Sequence, residues 1–575
     1  MREQLPKIIL IILLNFSLMC CSFVIPKEIR NQALKGISLK DRKNPPLSPF
    51  LKGGVVVAFL LITVLLLSCK NRNSGTKEIK GEKVFRMVIA SEPPTLDWSL
   101  ATDNVSFHVI TNIMEGLTQY DDALNPVPAI AEKWEISEDG KKITFFLRDN
   151  VFWTDKVPVT AYDFEYSWKR LLNPATGAEY AYFLYDLVNA YEYNSGIIKD
   201  PDLVGVKAKS EKILEVTLKK PAVYFPSLTT FMVTFPLRKD IIEKYKDRWT
   251  EPANIVTNGP FKLREWEHEY KLELVANKKY YGEKAKTDRI KMYVVGENNT
   301  ALTLYETNDL DMVSIPPLAV NYYKKSKEYI NTPQLRGYYY GFNIRKRPFN
   351  DVKVRKAFSM AIDRKRITDV LKGGEIPTSS WIPNGMFGYN KNTGLKFNPA
   401  SARRLLAEAG YPDGNGFPEV NITFNTDAEN KLIAENVQSQ LKENLNINVK
   451  LDNQEWKVYL KTLKTKPPEI FRLGWGADYP DPDNFMNLFT SSSGNNNTGW
   501  GNPEYDRLIV RGAGTSSRVL RLKIYDDAQK ILCEEAVPIM PLFVASQNLL
   551  VKKSIKGFKP NAMDILYLKK VAVGE

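Results

Sequence analysis

The chain has 575 residues, 43% hydrophobic and 25% charged, which exceeds one small core and implies two or three domains or one large interlocked unit. Its formal net charge of +14 would suit a nucleic-acid or anionic-membrane partner, but +6 lies before Cys69 and +8 is spread thinly over the rest. No basic run with interleaved aromatics and no helix-turn-helix, zinc-finger or RNA-binding signature is present, which argues against nucleic acid.

Two apolar runs open the chain, IILIILLNFSLMCCSFVI at 8–25 and VVVAFLLITVLLLS at 55–68, the second with Lys52 before it and Cys69 after it. The second run is short for a membrane-crossing helix and suits the apolar core of a signal peptide. LLSC, with Leu66 and Ser68 ahead of Cys69, resembles the lipobox of bacterial lipoproteins. That resemblance implies cleavage before Cys69 and a diacylglyceryl group on its sulfur, each buried CH₂ holding the chain to a membrane by roughly 0.8 kcal/mol. Cys20 and Cys21 lack a small residue before them, and a transmembrane reading of the first run stays open. Between the runs lies NPPLSPFLKGG, without a core-forming pattern. Residues 1–68 therefore read as a signal peptide with an over-extended preface at 1–50, and 69–83 as a lipidated flexible tether. With Cys69 acylated, Cys533 has no disulfide partner and is expected to be a buried apolar thiol.

From Val84 onward, short strand-like runs alternate with amphipathic helices, without a fixed repeat. KKITFFLRDNVFWTD (141–155) places Ile143, Phe145 and Leu147, then Val151 and Trp153, at period two, as in a half-buried strand entering a turn. VTAYDFEYSWKRLLNP (159–174) predicts a helix capped by Thr160, with Phe164, Trp168, Leu171 and Leu172 on one face and Pro174 at its end. LRGYYYGFNI (335–344) predicts a central strand. Residues 350–374 predict one helix through Val354, Phe358, Ala361 and Ile362 to a Gly373-Gly374 stop, and SARRLLAEAG (401–410) a helix capped by Ser401 and closed by Gly410. The class is α/β with mixed sheets.

RLGWGADYPDPDNF (472–485) clusters Asp478, Asp481 and Asp483. With only His108 and His268 in the chain, there is no HExxH helix and no Ser/His/Asp or Cys/His arrangement. Phosphate-binding GxxxxGK[ST] and GxGxxG loops are missing too. An EF-hand loop needs further ligands and a glycine where Phe485 and Met486 stand, so no metal is expected. A glycosidase-like carboxylate pair, needing only two acids brought together by the fold, stays possible.

Several runs together resemble the extracellular solute-binding proteins, family 5, and within it the oligopeptide receptors of bacterial ABC importers. They are PAIAEKWEISEDGKKITFFLRDNVFWTDKVPVTAYDFEYSWKRLLNP (128–174), EPANIVTNGPFKLREW (251–266), YYYGFNIRKRPFNDVKVRKAFSMAIDR (338–364), NQEW (453–456) and RLGWGADY (472–479). The resemblance implies a large class II periplasmic-binding-protein fold with two lobes and three sub-domains. Lobe I would be discontinuous, 84–114 with 239–334 and 547–575; 115–238 would be an inserted sub-domain, and 335–546 lobe II. Ligand would be enclosed between the lobes by hinge closure. The implied protein is a lipid-anchored, extracytoplasmic, monomeric receptor without cofactor or enzymatic activity, delivering oligopeptides to permease subunits.

A receptor for peptides of varied sequence can hold the ligand as an added β-strand, since only backbone and charged ends are common to all. The resemblance makes Asp478 the partner of the peptide α-ammonium. Trp475, Gly476 and Ala477 would form part of the strand that pairs with the ligand, with Trp475 and Trp456 walling pockets. Arg472 would meet the carboxylate of a short peptide, against the plainer alternative of a salt bridge within the lobe. The backbone near Thr102, Asp103 and Asn104 would pair from one lobe and Arg336, Gly337, Tyr338 and Tyr339 from the other. Phe183 stands where the family has a tyrosine, so a hydroxyl contact is expected to be lost. Leu463 and Lys464 replace an arginine and a histidine, leaving peptide length open. Asp481 and Asp483 read as turn or helix-start residues. A same-fold receptor for a nickel chelate, haem or sugar is the second reading, and a carboxylate-pair hydrolase the third.

Overall fold

The structure, a computed structural model, describes residues 81–574. Both N-terminal apolar runs, Cys69 and residues 70–80 of the expected tether lie outside the described residues. The fold takes hold of the chain earlier than the expected tether boundary at 83. Glu82 pairs with Arg289 at 2.6 Å, and the Lys83 backbone N–H donates to Asp288 at 2.9 Å.

The architecture is mixed α/β around one large sheet. In spatial order its strands are Lys450–Gln454, Asn421–Asn425, Ile470–Gly476, Tyr329–Phe342, Ile539–Val551, Met312–Ser314, Val84–Ile89, Arg289–Val294, Lys271–Ala276 and Phe261–Glu267. Ile376–Pro377 adds a short strand against Ile539–Val551. A separate four-stranded sheet holds Ala131–Ile136, Lys142–Leu147, Ile213–Thr217 and Val206–Ser210. Its second strand buries Ile143, Phe145 and Leu147, the alternation expected from period two.

Two long strands carry the large sheet through its middle. Tyr329–Phe342 and Ile539–Val551 pair antiparallel from Tyr329↔Leu550 to Gly341↔Ile539, with a register break between Pro333 and Gly337. Proline has no backbone donor, so a sheet interior accommodates it at an irregularity. Within the break, the Leu335 N–H donates instead to the Ala562 carbonyl at 2.6 Å.

The aromatic, glycine-spaced run 335–342 is explained by burial on both faces. Tyr338, Tyr340 and Phe342 enter a core with helix Val352–Met360 and helix Ala428–Leu445. Leu335 and Tyr339 enter another core with Trp381, Phe471 and Phe489. On that second face Gly337 and Gly341 leave room for rings: a Cβ at 337 would stand 2.8 Å from Trp381, and one at 341 would stand 2.2 Å from Phe471.

Helix Ala161–Leu172 is capped by Thr160 and Asp163, whose carboxylate accepts the Thr160 N–H at 2.8 Å; Phe164, Trp168, Leu171 and Leu172 are fully buried. Two local expectations are corrected. The single helix expected over 350–374 is two, Val352–Met360 and Arg364–Leu371, because Asp363 caps the second and its own N–H goes to Gln440 at 2.6 Å. The helix expected to start at Ser401 is Pro399–Glu408, capped by Asn398, whose side chain accepts the Ser401 N–H. Cys533 is buried, and burial pushes its thiol up to about 12.

Gly341→Ala is expected to lower stability by about 1–3 kcal/mol, because the new methyl must displace the Phe471 ring from a packed core. A thermal or urea unfolding midpoint equal to that of the parent chain would refute this account of the glycine spacing.

Candidate functional site

The strand Ile470–Gly476 is fully paired on one side only. Toward Tyr329–Phe342 it is matched from Ile470↔Phe342 to Gly476↔Arg336. Toward Asn421–Asn425 only Ile470 and Phe471 are matched, so the edge from Arg472 to Gly476 is open. The Arg472 carbonyl faces this open side, where it accepts the Tyr459 hydroxyl at 2.6 Å. Ala477, of opposite parity, donates its N–H to Leu335 on the other side at 2.8 Å. Alternation along an extended strand therefore turns the amide groups of Gly474 and Gly476 toward the open edge.

Asp478 closes this edge. Its carboxylate accepts long hydrogen bonds of 3.4 Å from the Tyr182 hydroxyl and the Asn484 amide, and its backbone N–H donates to the Asn484 side-chain oxygen at 3.2 Å. Burial pushes the carboxyl up to about 6, against these two hydrogen bonds. Among the described residues no cation lies within ion-pair distance of it. It lines a cavity of about 290 Å³ with Asn104, Gln334, Arg336, Trp475, Gly476 and Ala477. The arrangement is a half-buried carboxylate, short of partners, at the end of an unpaired strand edge. Burying a charge without a counterion is costly, so the site suits a ligand that presents a cation beside hydrogen-bonding backbone.

The other two aspartates of the cluster serve elsewhere. Asp481 caps helix Pro482–Met486 and receives Arg521 at 2.7 and 2.6 Å. Asp483 is buried, accepts the Tyr479 hydroxyl at 3.0 Å, and is pushed up to about 7 by burial and by the nearby Asp481 and Asp186.

A second cavity, of about 610 Å³, follows the open edge away from Asp478 and brings together Arg336, Gly337, Tyr338, Trp456, Arg472, Trp475 and Gly476. The Arg472 guanidinium lies 4.4 Å over the Tyr338 ring and reaches Asn425 at 3.3 Å. It makes no salt bridge among the described residues, and its Nε is buried without a partner. Trp456 is 45% exposed and so free to cover a ligand. Lys464 is turned to the Gly494 carbonyl at 2.6 Å, and Leu463 is buried.

Not every expected residue reaches these cavities. Gly337 and Tyr338 line the second cavity but, like Tyr339, are paired with strands on both sides and offer no free strand edge; Tyr339 lines neither cavity and is packed on Trp381 and Phe489. Asp103 caps helix Asn104–Ile113 by accepting the Ser106 N–H at 2.9 Å; Thr102 and Asp103 line neither cavity. Phe183 stacks on Phe231 at 4.8 Å. The neighbouring Tyr182 carries a hydroxyl that reaches Asp478. Sequence reading missed Tyr182, Asn484 and Gln334. Only the tyrosine neighbouring Phe183 and the asparagine inside PDPDNF offered any local signal.

Residues 125–497 match the model of the bacterial extracellular solute-binding proteins, family 5 Middle. The chain is similar to the oligopeptide-binding protein OppA of Bacillus subtilis, 34% identical over 88% of this chain and 96% of the relative. It is also similar to the periplasmic oligopeptide-binding protein OppA of Salmonella typhimurium, 35% identical over 81% and 88%. Among solved structures, the periplasmic murein tripeptide-binding protein MppA in its unliganded open form superposes with a TM-score of 0.75 at 33% identity, covering 86% of this chain and 98% of that one. Haemophilus influenzae OppA in complex with RPPGFSPFR superposes with a TM-score of 0.72 at 32% identity, covering 86% and 99%. The fold is thus the two-lobed periplasmic-binding-protein type.

Asp478→Asn is expected to stabilise the ligand-free protein. Since the folded carboxyl is raised from 3.8 to about 6, the parent chain is unaffected below the lower value and loses stability as pH rises between the two. The full deficit, on the order of 2–3 kcal/mol, holds above pH about 6. Unfolding midpoints of parent and variant compared at pH 3.5 and pH 7.5 check this; an equal gap at both refutes it.

Proposed function

The chain belongs to the bacterial extracellular solute-binding proteins, family 5, and from that membership we propose that it captures oligopeptides outside the cytoplasmic membrane and delivers them to an ABC importer permease. The observation that carries this reading is the Asp478 carboxylate, without a cation, at the end of an open strand edge. A peptide offers what that pair of features lacks: an α-ammonium group, and a backbone able to extend the sheet. Gly474 and Gly476 would exchange main-chain hydrogen bonds with it, since their amides face the cavity and no side chain obstructs the approach. Tyr182 and Asn484 hold the carboxylate in place. Arg472, with an unpartnered Nε, is suited to the carboxylate end of a short peptide. Trp456 and Trp475 would flank side chains in roomy, hydrated pockets.

The remaining parts of the reading follow the family pattern. Residues 84–114, 239–334 and 547–575 would form lobe I, 115–238 the inserted sub-domain and 335–546 lobe II. The crossing strands Tyr329–Phe342 and Ile539–Val551 would be the hinge, its give located in the register break at 333–337. Tyr182, on the inserted segment, and Asp478, on lobe II, approach across the cleft, so the ligand ammonium would be sealed from both sides. The protein would be a monomer, without enzymatic activity, held to a membrane through acylated Cys69. Among the described residues no helix is long and apolar enough to cross a membrane.

Calorimetry of the purified chain with di- to hexapeptides, free or N-acetylated, tests the reading. Free peptides are expected to bind and acetylated ones to lose at least about tenfold in affinity, the equivalent of 1.4 kcal/mol. Binding of no peptide would refute the receptor function, and equal affinity of blocked and free peptides would refute the role of Asp478.

The same titration has a pH signature. Binding an ammonium requires both the ionised carboxylate and the protonated amine, so affinity for free peptides should be level between pH about 6 and about 8 and weaken about tenfold per unit below that window. The Asp478→Asn variant should show no such slope.

A further inference from the structure

The larger cavity along the open edge has a feature that backbone recognition leaves unused. Three carboxylates, Glu375, Asp427 and Glu429, line it. Asp427 is engaged as the cap of helix Ala428–Leu445, accepting N–H groups of Glu429 and Asn430 at 2.9 and 3.0 Å. Glu375 accepts backbone N–H groups, its own and that of Gly373 at 2.9 Å, and meets no cation among the described residues. The Glu429 carboxylate has no hydrogen-bond or ion-pair partner among the described residues. Partial desolvation raises the carboxyl of each glutamate, Glu375 half-buried and Glu429 exposed at the cavity wall, and Glu429 is raised further by Glu375 and Asp427. The two acids share one cavity wall.

The cavity's basic residues leave these acids unmatched. Arg472 lies flat on Tyr338 and is within electrostatic range of Glu429 without forming an ion pair. Arg336 acts on Asp564, in the neighbouring cavity. Among the described residues no group of three His, Cys, Asp or Glu side chains is placed to hold a metal ion, so an organic cation fits better than a metal.

A second observation marks the same place as a ligand surface. Gln334, 8% exposed, lines both this cavity and the one holding Asp478, and its Nε2 is buried without a partner. An unmet amide donor between the two cavities is costly unless an acceptor arrives, and a ligand carbonyl is such an acceptor.

We propose that Glu375 and Glu429 form a side-chain subsite that selects peptides carrying a basic residue, a lysine- or arginine-type cation, downstream of the amino terminus held at Asp478. The proposal rests on the peptide-receptor reading and narrows its substrate class. The ligand would place its ammonium at Asp478, a backbone carbonyl at Gln334, its carboxylate toward Arg472, and its cationic side chain between the two glutamates. Glu375 and Glu429 line the second cavity and not the one that holds Asp478. The subsite therefore lies beyond the first peptide residue.

The test is calorimetry of the full chain with alanine tetrapeptides that carry lysine, norleucine or glutamate at the second, third or fourth position. At one position at least, lysine should bind about tenfold tighter than its uncharged near-isostere norleucine, with glutamate weakest, and added salt should reduce the contrast. In the double variant Glu375→Gln, Glu429→Gln, with its unfolding midpoint measured as the folding control, the lysine-to-norleucine ratio should fall toward one. Equal binding of lysine and norleucine peptides at every position would overturn the subsite while leaving the peptide receptor standing. A preference that survives in the folded double variant would also overturn it. Failure of every peptide to bind would sink the receptor reading and the subsite together.

Discussion

Backbone pairing between Tyr329–Phe342 and Ile539–Val551 is the constraint on which the rest of the site depends. These strands are central to the large sheet, and interior strands must pair nearly every amide or bury it at a cost. Where Pro333 cannot donate, the ladder breaks until Gly337. The break puts Gln334 and Arg336 on the cavity wall, and from Gly337 onward the strand supports Ile470–Gly476. That strand is held rigidly on one side and left open on the other. Its neighbour Asn421–Asn425 stops matching it after Phe471. A recognition edge is thus made by what the sheet does not complete.

Electrostatics gives the edge its direction. Asp478, Asp481 and Asp483 lie within six residues and have three different fates. Asp481 is neutralised by the paired hydrogen bonds of Arg521. Asp483 is deeply buried beside other acids and pushed up to about 7. Asp478 is buried enough to be strained as an anion and open enough for a ligand to relieve it. A site of this kind trades stability of the ligand-free protein for affinity, since the unmatched charge is compensated only on binding. The glutamates of the neighbouring cavity follow the same logic on a more hydrated surface.

Much of this was legible in local sequence. The alternation of Ile143, Phe145 and Leu147 and the capped helix after Thr160 depend on residues a few positions apart, and the structure has them where period and capping rules place them. The run RGYYYGF was readable as a central strand, although the reason for its glycines, the rings of Trp381 and Phe471, was not. Helix boundaries were less secure. Asp363 breaks a continuous apolar pattern because Gln440, distant in sequence, takes its N–H, and Asn398 displaces Ser401 as a cap because Pro399 is better suited to the first helical position.

The sequence by itself determined the fold class, the family resemblance and the choice of Asp478 and its neighbours as candidates, because these rest on contiguous motifs. Only the tertiary structure decided which groups are unmatched. The hydroxyl of Tyr182 meets a carboxylate 296 positions away, and Gln334, Glu375 and Glu429 come to one cavity from separate elements. Gly337, Tyr338 and Tyr339 have no free strand edge because both of their edges are already paired. Whether a polar group is satisfied is a property of its three-dimensional surroundings, and no spacing along a chain can state it.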